Sequence, residues 1–124
     1  MKKIESYRDL MVWQKSMDLV VKIYAQLRGF PKNEEYGLSS QLRRCSVSVP
    51  SNIAEGYGRN HTKDYCRFLE IARGSLYEME TQIELSTRLD FISQTQLSEI
   101  LEKSKEVEKM LNSLISKLKN ANIR

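Results

Sequence analysis

The stretch SQTQLSEILEKSKEVEKMLNSLISKL, residues 93–118, decides the fold class. Leu97, Ile100, Ser104, Val107, Leu111, Leu114 and Leu118 follow one another by three or four residues. That step keeps side chains on one face of an α-helix. Ser93 and Gln96 stand at capping-box spacing in front of the stripe, the pairing that serves backbone N–H groups left unbonded in a first helical turn. A helix over 94–119 is expected, with only Asn120 to Arg124 fraying.

Three more segments upstream carry the same period. Tyr65, Leu69, Ala72, Leu76, Met79 and Ile83 mark a helix over 63–89 behind Thr62. A helix over 34–59 follows Asn33 as its N-cap. The first helix, 7–28, has Leu10, Trp13, Met17, Val20, Tyr24 and Leu27 as its stripe and Ser6 with Asp9 as a capping pair. Gly29, suited to a left-handed C-terminal position, and Pro31 stop it. The connections around 29–32, 60–61 and 90–92 are short, so consecutive helices must lie antiparallel. No strand-period run or internal repeat competes. The expected fold is all-α: an antiparallel up-down-up-down four-helix bundle in a single domain over 1–124.

Composition agrees and excludes much else. The 124 residues are 40% hydrophobic and 29% charged, too apolar for a disordered chain, and no apolar run approaches the roughly 20 residues of a bilayer span. Met1-Lys2-Lys3-Ile4-Glu5-Ser6 has no leader-type apolar stretch, so a cytoplasmic location is expected. Net charge is +4, distributed as +4 over residues 1–60, −2 over 61–90 and +2 over 91–124. An excess this small is not a nucleic-acid signature by itself.

Helix 2 departs from the one-faced pattern. At about 100° per residue, Leu42, Cys45, Val49, Ile53 and Gly56 share the face expected in the core. Val47, Pro50, Ala54 and Tyr57 form a second apolar strip roughly 140° away. A bundle helix needs one buried face, so the second strip is a candidate oligomer interface covered by another copy of the chain. Pro50, inside this helix, lacks an N–H and crowds the Ser46 carbonyl, so a kink is expected there. Ser46, Ser48, Ser51 and Asn52 are the nearby groups able to serve freed backbone. Glu55 precedes Arg59 in the order that favours an intrahelical ion pair. Gly74, in the middle of helix 3, suggests close helix contact, with Gly74 and Ser75 facing the small residues of helix 2.

Residues 43–59, RRCSVSVPSNIAEGYGR, resemble the signature of the 23S rRNA intervening-sequence protein family, the S23-type four-helix bundle proteins. Residues 68–78, FLEIARGSLYE, are similar to that family's third helix, and YRDLMVWQ, residues 7–14, to its first. The resemblance implies a four-helix bundle assembled as a ring-like homopentamer, with no enzymatic activity to carry over. The family is similar in turn to the accessory variability determinants of diversity-generating retroelements, pentamers that bind nucleic acid and a reverse transcriptase. The resemblance therefore implies self-association first, and RNA, DNA or a protein of that kind as partner.

Catalytic and cofactor chemistry is hard to build from these residues. A di-metal bundle site needs two Glu-x-x-His pairs, but His61 is the only histidine, with Gly58 three residues before it. Cys45 and Cys66 with one histidine fall short of a zinc tetrad and are expected as packing residues. HEPN-type ribonucleases separate an arginine from a following histidine by four to six intervening residues; Ala54, Glu55 and Gly56 occupy those positions ahead of His61. Gly56-Tyr57-Gly58 lacks the strand and third glycine of a phosphate loop. No enzyme and no cofactor are expected. Binding by charge remains: Arg43 and Arg44, with Arg59 at the far end of the same helix, are the candidate nucleic-acid-binding residues. Lys103, Lys105 and Lys109 alternate with Glu102, Glu106 and Glu108 and are expected to form a solvated, ion-paired face. The alternative is a protein-interaction scaffold that binds no nucleic acid.

Overall fold

The computed structural model describes residues 3–122, with the side chain of residue 122 undescribed. Four α-helices carry the fold among these residues: α1 (Met11–Leu27), α2 (Leu38–Tyr57), α3 (Thr62–Arg88) and α4 (Gln94–Asn122). Single 3-10 turns at Tyr7–Asp9 and Lys32–Glu34 lead into α1 and α2. Each helix touches its two neighbours in the order α1–α2–α3–α4 and back to α1. The chain therefore closes a four-membered bundle.

Cross-helix pairs set the directions. Along α2 and α3, Gln41 bonds Gln82 and Ser48 bonds Ser75, so one number falls as the other rises. Along α3 and α4, Tyr77 bonds Glu108 and Arg73 bonds Asn112. Along α1 and α4, Lys15 pairs with Glu106 and Lys22 with Glu99. All three seams are antiparallel, which leaves α1 antiparallel to α2 as well.

The core follows the predicted stripes on three helices. Leu42, Cys45, Val49, Ile53 and Gly56 of α2 are buried. So are Leu69, Ala72, Leu76, Met79 and Ile83 of α3, and Ile100, Ser104, Val107 and Leu111 of α4. On α1 the buried face is displaced by one residue from the expected stripe, of which Leu10, Trp13 and Leu27 pack against the core edge. Val12, Ser16, Leu19 and Ile23 are buried, whereas Met17 and Tyr24 are each 40% exposed. The expected stripe lies roughly 100° around the helix from the real core face.

Several end signals also differ. Ser6 and Asp9 form the capping box, but it caps the 3-10 turn and not α1. Asn33 lies within the second 3-10 turn. Gly37 occupies the α2 N-cap, and Glu34 Oε1 accepts from the Leu38 N–H at 3.1 Å. His61, not Thr62, is the α3 N-cap. Gly29 does not take the left-handed conformation; that role falls to Asp90, φ 65°, after α3. There the Phe91 N–H reaches the Ser86 carbonyl and the Asp90 N–H the Thr87 carbonyl, a Schellman closure of the helix. The Ser93–Gln96 box ahead of α4 forms in both directions.

The helix α2 continues through Pro50 to Tyr57. The short polar side chains around Pro50 bond elsewhere than expected. The Ser46 hydroxyl donates to the Arg43 carbonyl, Ser48 meets Ser75, and Asn52 Nδ2 donates to the Ser48 carbonyl. None of these bonds reaches the Ser46 carbonyl. Only the Ser48–Ser75 bond crosses to α3, and the α2–α3 seam is close: a Cβ on Gly56 would lie 2.8 Å from the Phe68 Cβ.

Candidate functional site: the outer face of α1 and α2

The four residues of the expected apolar strip on α2 meet different fates. Pro50 is buried inside the protomer, so a second copy is not required to cover it. Its place on the helix wheel borders the core face closely enough for the bundle itself to enclose it. Tyr57 is half-buried, its ring perpendicular to that of Tyr65 at 6.2 Å. Ala54 is half-buried and Val47 is 40% exposed. Val47 is the outermost of the four.

The structure adds residues to this face that the sequence had assigned to the core. Met17 and Tyr24, each 40% exposed, flank Val21, which is 69% exposed. On α1 the flank toward α4 is fixed by Lys15 and Lys22, which reach Glu106 and Glu99. Met17 and Tyr24 lie roughly 160° from those lysines on the helix wheel, on the α2 side, and Val21 lies roughly 110° from them, facing away from the bundle. On α2 the flank toward α3 is fixed by Gln41 and Ser48, and Val47 lies at least 100° away on the opposite side by the same geometry. Met17 and Tyr24 border the α1–α2 seam, while Val21 and Val47 point outward from the bundle. Tyr36, in the connection between these helices, is 92% exposed. Scattered exposed apolar residues are ordinary, and a contiguous set along two adjacent helices would mark a candidate interaction surface. The signal was present in the sequence: α1 has apolar residues on both sides of its core face, and Val21 belongs to no single core stripe.

The candidate arginines do not converge. Arg43 Nη2 donates to the Glu35 carbonyl at 3.0 Å, which ties α2 to the turn before it. Arg44, the next residue, is exposed and makes no hydrogen bond or ion pair with another described residue. Arg59 lies 16 positions beyond Arg43, about 24 Å along the helix direction. There it pairs with Glu55 at 3.6 Å and stacks over Phe68 at 4.6 Å. Arg67 stacks on the same ring at 4.7 Å, a second cation that sequence spacing did not single out. Of the three candidate arginines, Arg44 is free of hydrogen bonds and ion pairs with other described residues and Arg43 and Arg59 are engaged.

The remaining chemistry-bearing groups are structural in placement. Cys45 is buried, and burial first, then the Glu78 charge, pushes its thiol up to about 11. Cys66 is buried too, its thiol raised by desolvation. The Tyr77 hydroxyl is raised chiefly by its hydrogen bond to Glu108. Among the described residues no cluster of three His, Cys, Asp or Glu side chains is placed to hold a metal ion. No described helix is long and apolar enough to cross a membrane.

Comparison with known proteins fits this architecture. A protein of unknown function from the S23 ribosomal protein family of Bacteroides thetaiotaomicron VPI-5482 superposes with a TM-score of 0.76 at 30% identity. The match covers 85% of this chain and 98% of that one. A comparison with curated proteins finds no match. Residues 8–113 match the 23S rRNA-intervening sequence protein pattern, a span that takes in α1, α2, α3 and most of α4, and the chain belongs to that family.

Proposed function

We propose that this protein is a non-enzymatic homo-oligomer, a pentamer by its family resemblance, that binds nucleic acid through basic groups repeated around the assembly. The observation that carries the proposal is the exposed strip of Met17, Val21 and Tyr24 beside Val47. Burying such a surface gains roughly 25 cal/mol for each Å² of apolar area, and a second copy offers a surface of the same chemistry. A closed ring repeats Arg44 once per protomer, turning a modest charge into a concentrated field. Contacts made to several phosphates at once give strong salt dependence and little base selectivity.

The test has two stages. Light scattering on the wild type is expected to give a multiple of the 14.5 kDa protomer mass, and Val21→Glu with Val47→Glu to return the single copy with its helical content intact. Gel shifts on generic RNA and DNA across a salt series are then expected to weaken steeply with salt. Arg44→Glu should reduce that slope by more than the roughly 0.7–0.9 expected for one lost contact. A stable single copy at dilute concentration overturns the assembly; no shift at micromolar protein and low salt overturns nucleic-acid binding.

A protein-interaction scaffold is the second reading, favoured by the engagement of Arg43 with the Glu35 carbonyl and of Arg59 with Glu55 and Phe68. A defined protein partner retained after nuclease treatment would select it.

A further inference from the structure

A second apolar surface lies at the opposite seam, between the start of α1 and the last turns of α4. Leu10, Met11 and Val12 form one wall and Met110 and Leu114 the other, around a groove of about 320 Å³. Met11 is 58% exposed on its lip. Lys109, Ser113 and Lys117 complete the rim.

The electrostatics of this rim are one-sided. Residues 109–124 contain no Asp or Glu. Acidic groups near it in sequence are already engaged. Glu106 pairs with Lys15, Glu108 accepts from Tyr77, and the Asp9 carboxylate holds the Glu5 and Ser6 N–H groups. Lys109 and Lys117 form no ion pair with another described residue, whereas Lys15, Lys22 and Lys119 each do. The groove wall is also where α1 begins, behind Leu10, which provides no side-chain cap. The positive end of a helix adds to the two lysines there.

We propose that this groove docks a short, acidic, amphipathic helix of a partner protein. Lys109 and Lys117 are eight residues apart, about 12 Å along α4, the length of two turns of a docked helix. Such a ligand presents apolar anchors at i, i+3 or i+4, and i+7. Two methionines, one on each wall, give a floor that adapts to differently shaped anchors. Nucleic acid suits the site poorly, since none of its lining residues is aromatic and able to stack on a base. The surface is distinct from the α1–α2 face, so its test stands apart from that of self-association.

The probe is a fluorescein-labelled helical peptide of about twelve residues, with leucines at the anchor spacing and glutamates elsewhere. Its counterpart has lysine in place of every glutamate. Fluorescence anisotropy on the assembled wild-type protein is expected to show the acidic peptide bound at least ten-fold tighter than the basic one. Lys109→Glu with Lys117→Glu, both at the surface, should reverse that order, and Arg44→Glu should leave it unchanged. Equal affinity for the two peptides, or a preference that survives the double substitution, overturns the proposal. So does a changed assembly mass in the double variant, which makes the groove a contact between copies. Lysine-dependent binding to phosphatidylglycerol vesicles without peptide binding overturns it in favour of a lipid surface.

Discussion

Replacing Gly56 and Gly74 by alanine makes the same chemical change twice and is expected to move stability in opposite directions. Both glycines are helical, so each alanine removes backbone freedom from the unfolded chain and gains up to about 1 kcal/mol from helix propensity. At Gly74 nothing else changes, because an added Cβ meets no atom within 4 Å. The expected result is a gain of about 0.5–1 kcal/mol. At Gly56 the new Cβ would stand 2.8 Å from the Phe68 Cβ, 3.1 Å from Tyr65 Cδ1 and 3.3 Å from the Tyr65 carbonyl oxygen. The nearest two contacts are not the ends of flexible side chains: one is a Cβ and the other belongs to a ring packed against Tyr57. The α2–α3 seam must open by several tenths of an ångström, and overpacking of this kind costs about 1–3 kcal/mol.

The net expectation for Gly56→Ala is a loss of about 1 kcal/mol, and the two variants should differ by about 2 kcal/mol. For a chain of this length that separation is about 8 °C in Tm. Thermal and urea unfolding followed by circular dichroism, at one fixed protomer concentration, measure it, because an assembling protein has a concentration-dependent midpoint. Gly56→Ala as stable as the wild type would refute the tight-seam argument. A destabilised Gly74→Ala would refute the other half, and would mean that the outer face of α3 is covered by another chain.

Two further predictions concern end groups and thiols. Asp90 holds a left-handed conformation, φ 65°, at the negative end of α3; Asp90→Asn keeps tolerance of that conformation and removes an unfavourable charge, so a gain of about 0.5 kcal/mol is expected in urea unfolding. Native Cys45 should resist iodoacetamide at pH 8 and react once the protein is unfolded, since the thiolate is the nucleophile and burial holds the thiol at about 11. Between the ordinary value of 9.0 and about 11 the folded state keeps a proton that the unfolded state releases. Stability therefore falls as pH rises through that interval, and Cys45→Ser should flatten that part of the urea midpoint profile. Iodoacetamide labelling of the native Cys45 at the rate of a free thiol would contradict the burial argument.

Much of the bundle is legible in the sequence because α3 and α4 each have one dominant apolar face, and on α2 the face of Leu42, Cys45, Val49, Ile53 and Gly56 is the one the core takes. Ser104, a polar member of the α4 stripe, is fully buried as its spacing requires, and its hydroxyl donates to Glu80. Helix ends were less legible. Asn33 and Thr62 are capping residue types at believable positions, yet the chain uses a Glu34 side chain and His61 instead. Capping energies are about 1 kcal/mol, small enough for loop geometry to override. The candidate site was legible only in part. Adjacent arginines on a helix look like one patch in sequence, but successive residues differ by about 100° in direction: Arg43 turns to the Glu35 carbonyl while Arg44 stays in solvent.

The misplacement on α1 has the same physical origin as the proposed assembly. A periodic pattern reports that an apolar stripe exists, and a helix with two adjacent stripes satisfies the pattern in two registers one residue apart. Val12, Leu19 and Ile23 form one register, and Trp13, Met17, Val20, Tyr24 and Leu27 the other. The observed rotation of the helix agrees with the placement of charge: Lys15 and Lys22 reach the α4 carboxylates, and with those lysines on the α4 flank the first register faces the core centre. Trp13 and Leu27 of the second register still pack against the core edge, and Met17 and Tyr24 are left exposed. Folding of one chain leaves Met17, Val21 and Tyr24 exposed, and the proposed association would cover them. Local patterning that disagrees with the fold of the single chain is expected where a protein meets a partner. Here the disagreement falls on α1, the helix packed beside the one that carries Val47.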